Sequence, residues 1–65
     1  MKKSAKSVIV GDVIIYPYGM LVRVTDIEEK NERVLIYGDI LPENGWADGQ
    51  RSVHSHSSHT QIKIR

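Results

Sequence analysis

The stretch that decides the fold is VIIYPYGMLVRV, at residues 13–24. Residues 13–16 form an unbroken run of β-branched and aromatic side chains, which strongly prefer a strand. Pro17 keeps the residue before it extended and presets a turn, which Gly19 closes. Residues 20–25 then alternate in part between apolar and polar side chains, as a strand with one apolar face does. The stretch therefore predicts two strands joined by a tight turn.

The rest of the chain repeats this pattern of short apolar runs cut by turn signals. Such spacing is typical of a small all-β sandwich or barrel. A five-stranded antiparallel meander of this length must curl to cover its one apolar face, and closure removes exposed sheet edges. We therefore predict a small five-stranded barrel, with strands at residues 8–16 (broken at Gly11), 20–28, 33–40, 51–56 and 60–64.

The polar connector at residues 28–32 leaves a helical alternative open. TDIE at 25–28 fits a helix capping box, and the acids that follow suit a helix N-terminus. Only about two turns fit before the apolar run at 34–37, and so short an isolated helix is marginal in water. We favour a hairpin connection.

A family resemblance supports the barrel. VGDVI at 10–14, followed by the glycine turn and LVRV at 21–24, resembles the opening of SH3-like barrels of the KOW type. Those modules are found in transcription and ribosomal proteins. The resemblance covers roughly residues 8–40 and implies a five-stranded antiparallel SH3-like barrel. It supports the fold more than the function, because one fold hosts many functions.

Length and composition limit the classes of protein that fit. The chain has 65 residues and no cysteine, which excludes disulfides and thiolate metal sites. No apolar run approaches the roughly 18 residues that span a bilayer. The basic opening at 1–7 is followed by an apolar stretch that Gly11 and Asp12 interrupt, so no secretory signal is predicted. We expect a cytoplasmic protein with a flexible basic arm at 1–7 and a single domain at 8–65.

Charge is segregated along the chain, although the net charge is only +1. All eight acids lie in residues 12–48, whereas both ends are basic. If the first and last strands are neighbours, the ends form a positive stripe that contacts phosphates without reading base sequence. The alternative is that these charges only keep a small protein soluble. We predict a nucleic-acid-binding surface made of Lys2, Lys3, Lys6, Arg51, Lys63 and Arg65.

Two aromatic residues are candidates for the same surface. Tyr18 lies in the turn after Pro17, and Trp46 lies in the longest loop. Exposed rings in such loops stack on bases. The alternative for Trp46 is that it packs over one end of a core that has no phenylalanine.

The three histidines lie within VHSHSSH, at residues 53–59. On a strand, His54 and His56 point to one face, and His59 could complete a set of three nitrogen ligands for zinc. The alternative is a solvated strand face, because no carboxylate in the segment orients the imidazoles. Zinc is the one cofactor that the sequence brings into consideration.

Self-association is the remaining hypothesis. The runs at 13–16 and 34–37 are apolar throughout, as in strands buried on both faces. A single barrel has one interior, so we expect Ile14 and Leu35 to point outward, covered by a loop or a second subunit. A protein-interaction or structural role is therefore the alternative function. No nucleophile motif, phosphate-binding glycine loop or deep cleft is evident, so we predict no enzyme and no small-molecule substrate.

Overall fold

The computed structural model describes residues 1–43 and 49–65. In this part of the chain no helix is long and apolar enough to cross a membrane. Short 3₁₀ turns occur at Ala5–Ser7 and Pro17–Gly19. The strands are β1 (Lys2–Ser4), β2 (Val13–Ile15), β3 (Leu21–Lys30), β4 (Arg33–Ile40), β5 (Arg51–Ser57) and β6 (Gln61–Lys63).

The strands form two antiparallel sheets. One sheet has the order β2-β3-β4-β5, and the other pairs β1 with β6. A single bridge between Ile14 and Ile64 places the end of the chain beside β2. The all-β prediction is thus confirmed, but a closed five-stranded SH3-like barrel is not, because β6 pairs with β1 and not with β5.

The segment predicted to be a flexible arm is part of the second sheet. Lys2–Ser4 pairs with β6 in register, and Ala5 is fully buried. The Ala5 N–H donates to the Thr60 carbonyl at 2.8 Å, and the Lys6 N–H donates to the Ser58 carbonyl at 3.2 Å. The segment is therefore ordered by the burial of Ala5 and by the backbone ladder with β6, although its charges alone would leave it in solvent.

The expected start of the first strand is a loop. Val8 is buried, but Ile9 and Val10 are 61% and 60% exposed. The carboxylate of Asp12 accepts hydrogen bonds from the Ile9 N–H at 3.0 Å and from the Lys3 ammonium at 2.8 Å. Hydrogen bonds between a side chain and the backbone compete with strand pairing. Here the bonds to Asp12 form instead of a strand ladder, and they stabilise the loop.

The hairpin predicted between β3 and β4 is confirmed. Asn31 and Glu32 form its turn, with φ of 51° and 63°. Positive φ at both central residues is the geometry of a two-residue type I′ turn, which matches the twist of the flanking strands. Residues 25–28, the alternative helix start, lie within β3, where a register shift between Val24 and Asp26 marks a bulge.

The core is almost entirely aliphatic and lies between the two sheets. Ile14 is 1% exposed and belongs to it, so its predicted outward position is wrong. Alternation along β2 instead leaves its neighbours Val13 and Ile15 partly exposed. Leu35 is half-buried between two buried residues of β4, as expected for its outward face. The buried cluster comprises Ala5, Val8, Ile14, Val24, Val34, Ile36, Ile62 and Ile64.

Candidate functional site

Two lysines face each other on the outer side of the β1–β6 sheet. Lys2 and Lys63 are direct partners in the antiparallel register, and both are exposed. Directly opposed residues hold their Cβ atoms about 5 Å apart, and like charges so placed destabilise a sheet. We call Lys2 and Lys63 the basic pair. It concentrates positive charge at a point where a bound anion would relieve the repulsion.

Arg65 extends the basic pair along the same face. Ile62 and Ile64 point into the core, so Lys63 and Arg65 point outward. Arg65 Nη1 donates to Glu43 Oε2 at 2.9 Å, and both side chains are about half exposed. An exposed ion pair of this kind contributes little stability, so an incoming anion can compete for the guanidinium.

Lys3, predicted to contact phosphate, has a structural role instead. Its ammonium lies 2.8 Å from Asp12 Oδ2, and the two side chains are only 23% and 14% exposed. Burial raises the pKa of Asp12, but the hydrogen bonds from Lys3 and the Ile9 N–H outweigh it and leave the pKa below its ordinary value. Asp12 therefore stays ionised at neutral pH and holds Lys3 inside the loop.

Lys6 and Arg51 lie away from the basic pair. Lys6 lines a concavity beside the β3–β4 hairpin together with the acids Glu29 and Glu32. Arg51 begins β5, and its Nε lies 3.4 Å from Asp39 Oδ1. Of the six predicted phosphate-binding residues, the structure therefore groups Lys2, Lys63 and Arg65 and separates Lys3, Lys6 and Arg51.

A concavity of about 240 Å³ lies beside the basic pair. We call it the seam, because it separates β5 from β2 and β6. Tyr16, Pro17, His56 and Lys63 are among its lining residues. Lys63 thus belongs both to the basic pair and to the seam, so an anion bound at the pair would lie next to aromatic and imidazole rings.

Three rings stack at the seam. The Tyr16 ring centroid lies 4.2 Å from that of His54 and 5.9 Å from that of His56, with interplanar angles of 23° and 13°. Tyr16 Oη and His56 Nε2 share a hydrogen bond of 3.0 Å. Sequence reasoning missed this cluster. The register that reveals it comes from the structure: His54 and His56 lie opposite the inward residues Ile36 and Val34.

Burial determines the protonation of the cluster. It raises the pKa of Tyr16 to about 12, so the hydroxyl remains protonated at neutral pH. Burial also lowers the pKa of His56, with further lowering by the nearby charges of His54 and Arg33. At neutral pH the seam therefore offers a neutral hydrogen-bonding and stacking surface, and Lys63 supplies its positive charge.

The predicted zinc ligands do not converge. His54 and His56 share the inward face of β5, but His59 lies on the exposed turn and lines the concavity beside the β3–β4 hairpin. Within residues 1–43 and 49–65, no group of three or more histidines or acids could hold a metal ion. The reason is the path of the chain, which turns after Ser57 and carries His59 away from the pair.

Tyr18 and Trp46 are the two predicted aromatic contacts. Tyr18 is 94% exposed and has a φ of 66°, in the turn that follows the seam residue Pro17. Its ring is therefore displayed to solvent within two residues of the seam. Trp46 lies outside the described residues, so its prediction as a stacking residue stays a prediction.

The sequence matches no protein-family model, and no curated protein or solved structure is significantly similar to it.

Proposed function

We propose that this protein is a small non-enzymatic binding module that contacts the phosphates of nucleic acid through the outer face of the β1–β6 sheet. One observation carries the proposal: Lys2 and Lys63 are direct partners in the ladder. A fold gains nothing from opposing two like charges, and it loses stability by doing so. An anionic partner provides the compensating interaction.

A polyanion fits this face better than a single small anion. Lys2 and Lys63 project on long stems from neighbouring strands, and Arg65 follows on the same side. Flexible ammonium groups contact backbone phosphates without demanding one geometry. Tyr18, with 94% of its surface exposed, adds a ring on which a base can stack.

The β3–β4 hairpin is a weaker candidate for binding phosphates. Glu28, Glu29 and Glu32 are exposed there and offset the positive charges of Lys6, Lys30 and Arg33. The basic pair, in contrast, sets two lysines directly opposite each other.

The test is the salt dependence of binding to a short labelled DNA duplex, followed by fluorescence anisotropy. Each phosphate contact contributes a slope of about −0.9 to the plot of log affinity against log salt. We expect K2Q and K63Q each to weaken binding and to lower the slope by about 1. K30Q is the matched control, because Lys30 is exposed but ends β3 at the β3–β4 hairpin and not on the β1–β6 sheet.

Two results would contradict the proposal. One is binding that does not respond to salt. The other is an equal loss of affinity in K30Q, K2Q and K63Q, since that would reflect net charge alone.

A further inference from the structure

β5 has an unpaired edge. At one end of its pairing with β4, the Ile40 N–H donates to the Gln50 carbonyl at 2.8 Å. At the other end, the Ser58 N–H donates to the Glu32 carbonyl at 2.9 Å. In an antiparallel ladder the residues that bond to a given neighbour alternate. The N–H and C=O groups of Arg51, Val53 and Ser55 therefore point away from β4.

Nothing in the described part of the chain uses these groups. Over residues 1–43 and 49–65, none of the backbone hydrogen bonds between elements involves Arg51, Val53 or Ser55. β6 follows β5 in the chain, but it pairs with β1, and Ile64 just after it bridges to Ile14 of β2. β5 is thus the outer strand of its sheet, and across the seam it is contacted through side chains, where Tyr16 stacks on His54 and His56.

This edge has few of the features that normally prevent pairing with another chain. Edge strands are protected by charged side chains, proline, bulges or short length, and here Arg51 is the one charged residue of the strand. β5 is seven residues long, with the sequence RSVHSHS, and its register with β4 is continuous. It also displays Val53, an apolar side chain that is 55% exposed.

We propose that β5 pairs antiparallel with β5 of a second copy of this chain, around a two-fold axis at Val53. In this register Val53 lies opposite Val53 of the second copy, and Arg51 lies opposite Ser55. Each unpaired N–H and C=O of the edge then gains a partner. The two sheets become one continuous sheet across the dimer, an isologous contact of the commonest kind.

The side chains fit this register. The exposed Val53 side chains cover each other as a cross-strand pair. Arg51 meets Ser55, whose hydroxyl accepts hydrogen bonds from Arg33 of its own subunit at 2.9 and 3.1 Å. Asp39, 3.4 Å from Arg51, offsets part of the positive charge that this brings together. The net charge of +1 causes little repulsion between copies.

A register shifted by one residue, around His54, fits less well. It places Arg51 opposite Ser57, and the Ser57 carbonyl already accepts the Thr60 N–H at 3.0 Å. The same shift places Val53 opposite Ser55, so the apolar side chain stays without an apolar partner. The axis at Val53 therefore fits better, because it pairs the outward N–H and C=O groups of Arg51, Val53 and Ser55.

The test combines the solution mass with amide hydrogen exchange over a range of protein concentrations. We expect the mass to rise from monomer to dimer with concentration. The amides of Arg51, Val53 and Ser55 should become protected together with that change. The amides of Ser52, His54 and His56 provide an internal control, because they bond to β4 and are protected in the monomer as well.

Two variants test whether the edge of β5 forms the dimer contact. V53P removes an outward N–H, which an edge strand tolerates, and V53K adds a charge that would oppose itself across the axis. Both should remain monomeric, whereas I9K, a charge added at an exposed loop residue, should dimerise like the wild type.

A wild-type protein that stays monomeric at high concentration would overturn the proposal. So would a dimer that persists in V53P and V53K while the three edge amides exchange freely. Neither result bears on the basic pair, which the lysine variants test separately.

Discussion

Tyr16 Oη and His56 Nε2 share a hydrogen bond of 3.0 Å across the seam, and the two rings are nearly parallel. No backbone ladder between the described strands joins β5 to β2 or to β6. Side chains therefore connect the two margins where a closed barrel would use main-chain hydrogen bonds. The ring cluster is first of all a structural device, and its contribution to stability can be measured.

Removal of the Tyr16 ring should cost more than removal of its hydroxyl. Y16F keeps the stack and loses one half-buried hydrogen bond, so we expect a loss of about 1 kcal/mol in unfolding free energy. Y16A also removes the ring, with an expected loss of about 3 kcal/mol. Chemical denaturation measures both values. Equal losses would show that the stack contributes nothing beyond the hydroxyl.

The lowered pKa of His56 predicts that acid weakens the fold. The groups that face His56 are Tyr16, His54, Arg33 and Lys63, and none supplies a negative charge that would stabilise an imidazolium. Above the unfolded-state pKa of about 6.5 the histidine is neutral in both states. Below it, the unfolded chain binds the proton more readily, so stability falls until the pH reaches the folded-state pKa.

Thermal melts at decreasing pH test this prediction in matched variants. H56Q should lose part of the decline in Tm that the wild type shows below about pH 6.5. H59Q should keep the full decline, because His59 lies on the exposed turn. An unchanged decline in H56Q would assign the effect to other groups.

Lys63→Glu should raise stability and abolish binding at once. The substitution replaces two like charges with an ion pair between Lys2 and the new carboxylate across the ladder, worth roughly 0.5 kcal/mol. The same change places a negative charge where we propose a phosphate contact. Tm and DNA affinity should therefore move in opposite directions. A variant that loses stability and affinity together would indicate that Lys63 has a packing role.

Gly38 should tolerate no side chain. An added Cβ would lie 2.5 Å from the carbonyl oxygen of Arg23 and closer still to Val22 Cγ1, beside the bulge in β3. Forced overpacking of this kind costs about 3 kcal/mol. Gly11→Ala is the control: its site is open, and only the φ of 98° is unfavourable, at about 1 kcal/mol. The denaturation midpoint should therefore fall more in Gly38→Ala than in Gly11→Ala.

The strands with a clear pattern were predictable from sequence. β3, β4 and the hairpin between them follow from alternation and from the polar connector, and β5 was placed to within a residue at its end. β1 was not predictable, because Lys2–Ser4 carries no apolar pattern and only the Ala5 that follows is buried. The β-branched residues at 8–10 prefer a strand, but hydrogen bonds to Asp12 override that preference.

The direction of side chains was harder to predict than the position of strands. In the wholly apolar run at 13–16 no polar residue marks the outer face, so the sequence does not show that Ile14 points into the core. The polar composition of β5 concealed the fact that His54 and His56 face inward against Tyr16. The structure brings Lys2 beside Lys63, although the prediction relied on a closed barrel and a flexible arm and also included Lys6 and Arg51, which lie elsewhere. The engagement of Lys3 with Asp12 depends on a loop contact that composition does not reveal.

The measurement that tests the central claim most directly is an amide chemical-shift titration of the labelled protein with a short random-sequence DNA duplex, at low and then at moderate salt. We expect shifts confined to Tyr18 and to Lys2, Gln61, Lys63 and Arg65, reversed as salt is added. An absence of shifts at low salt, or shifts centred on the hairpin turn at Asn31 and Glu32, would contradict the proposal that the outer face of the β1–β6 sheet binds nucleic acid.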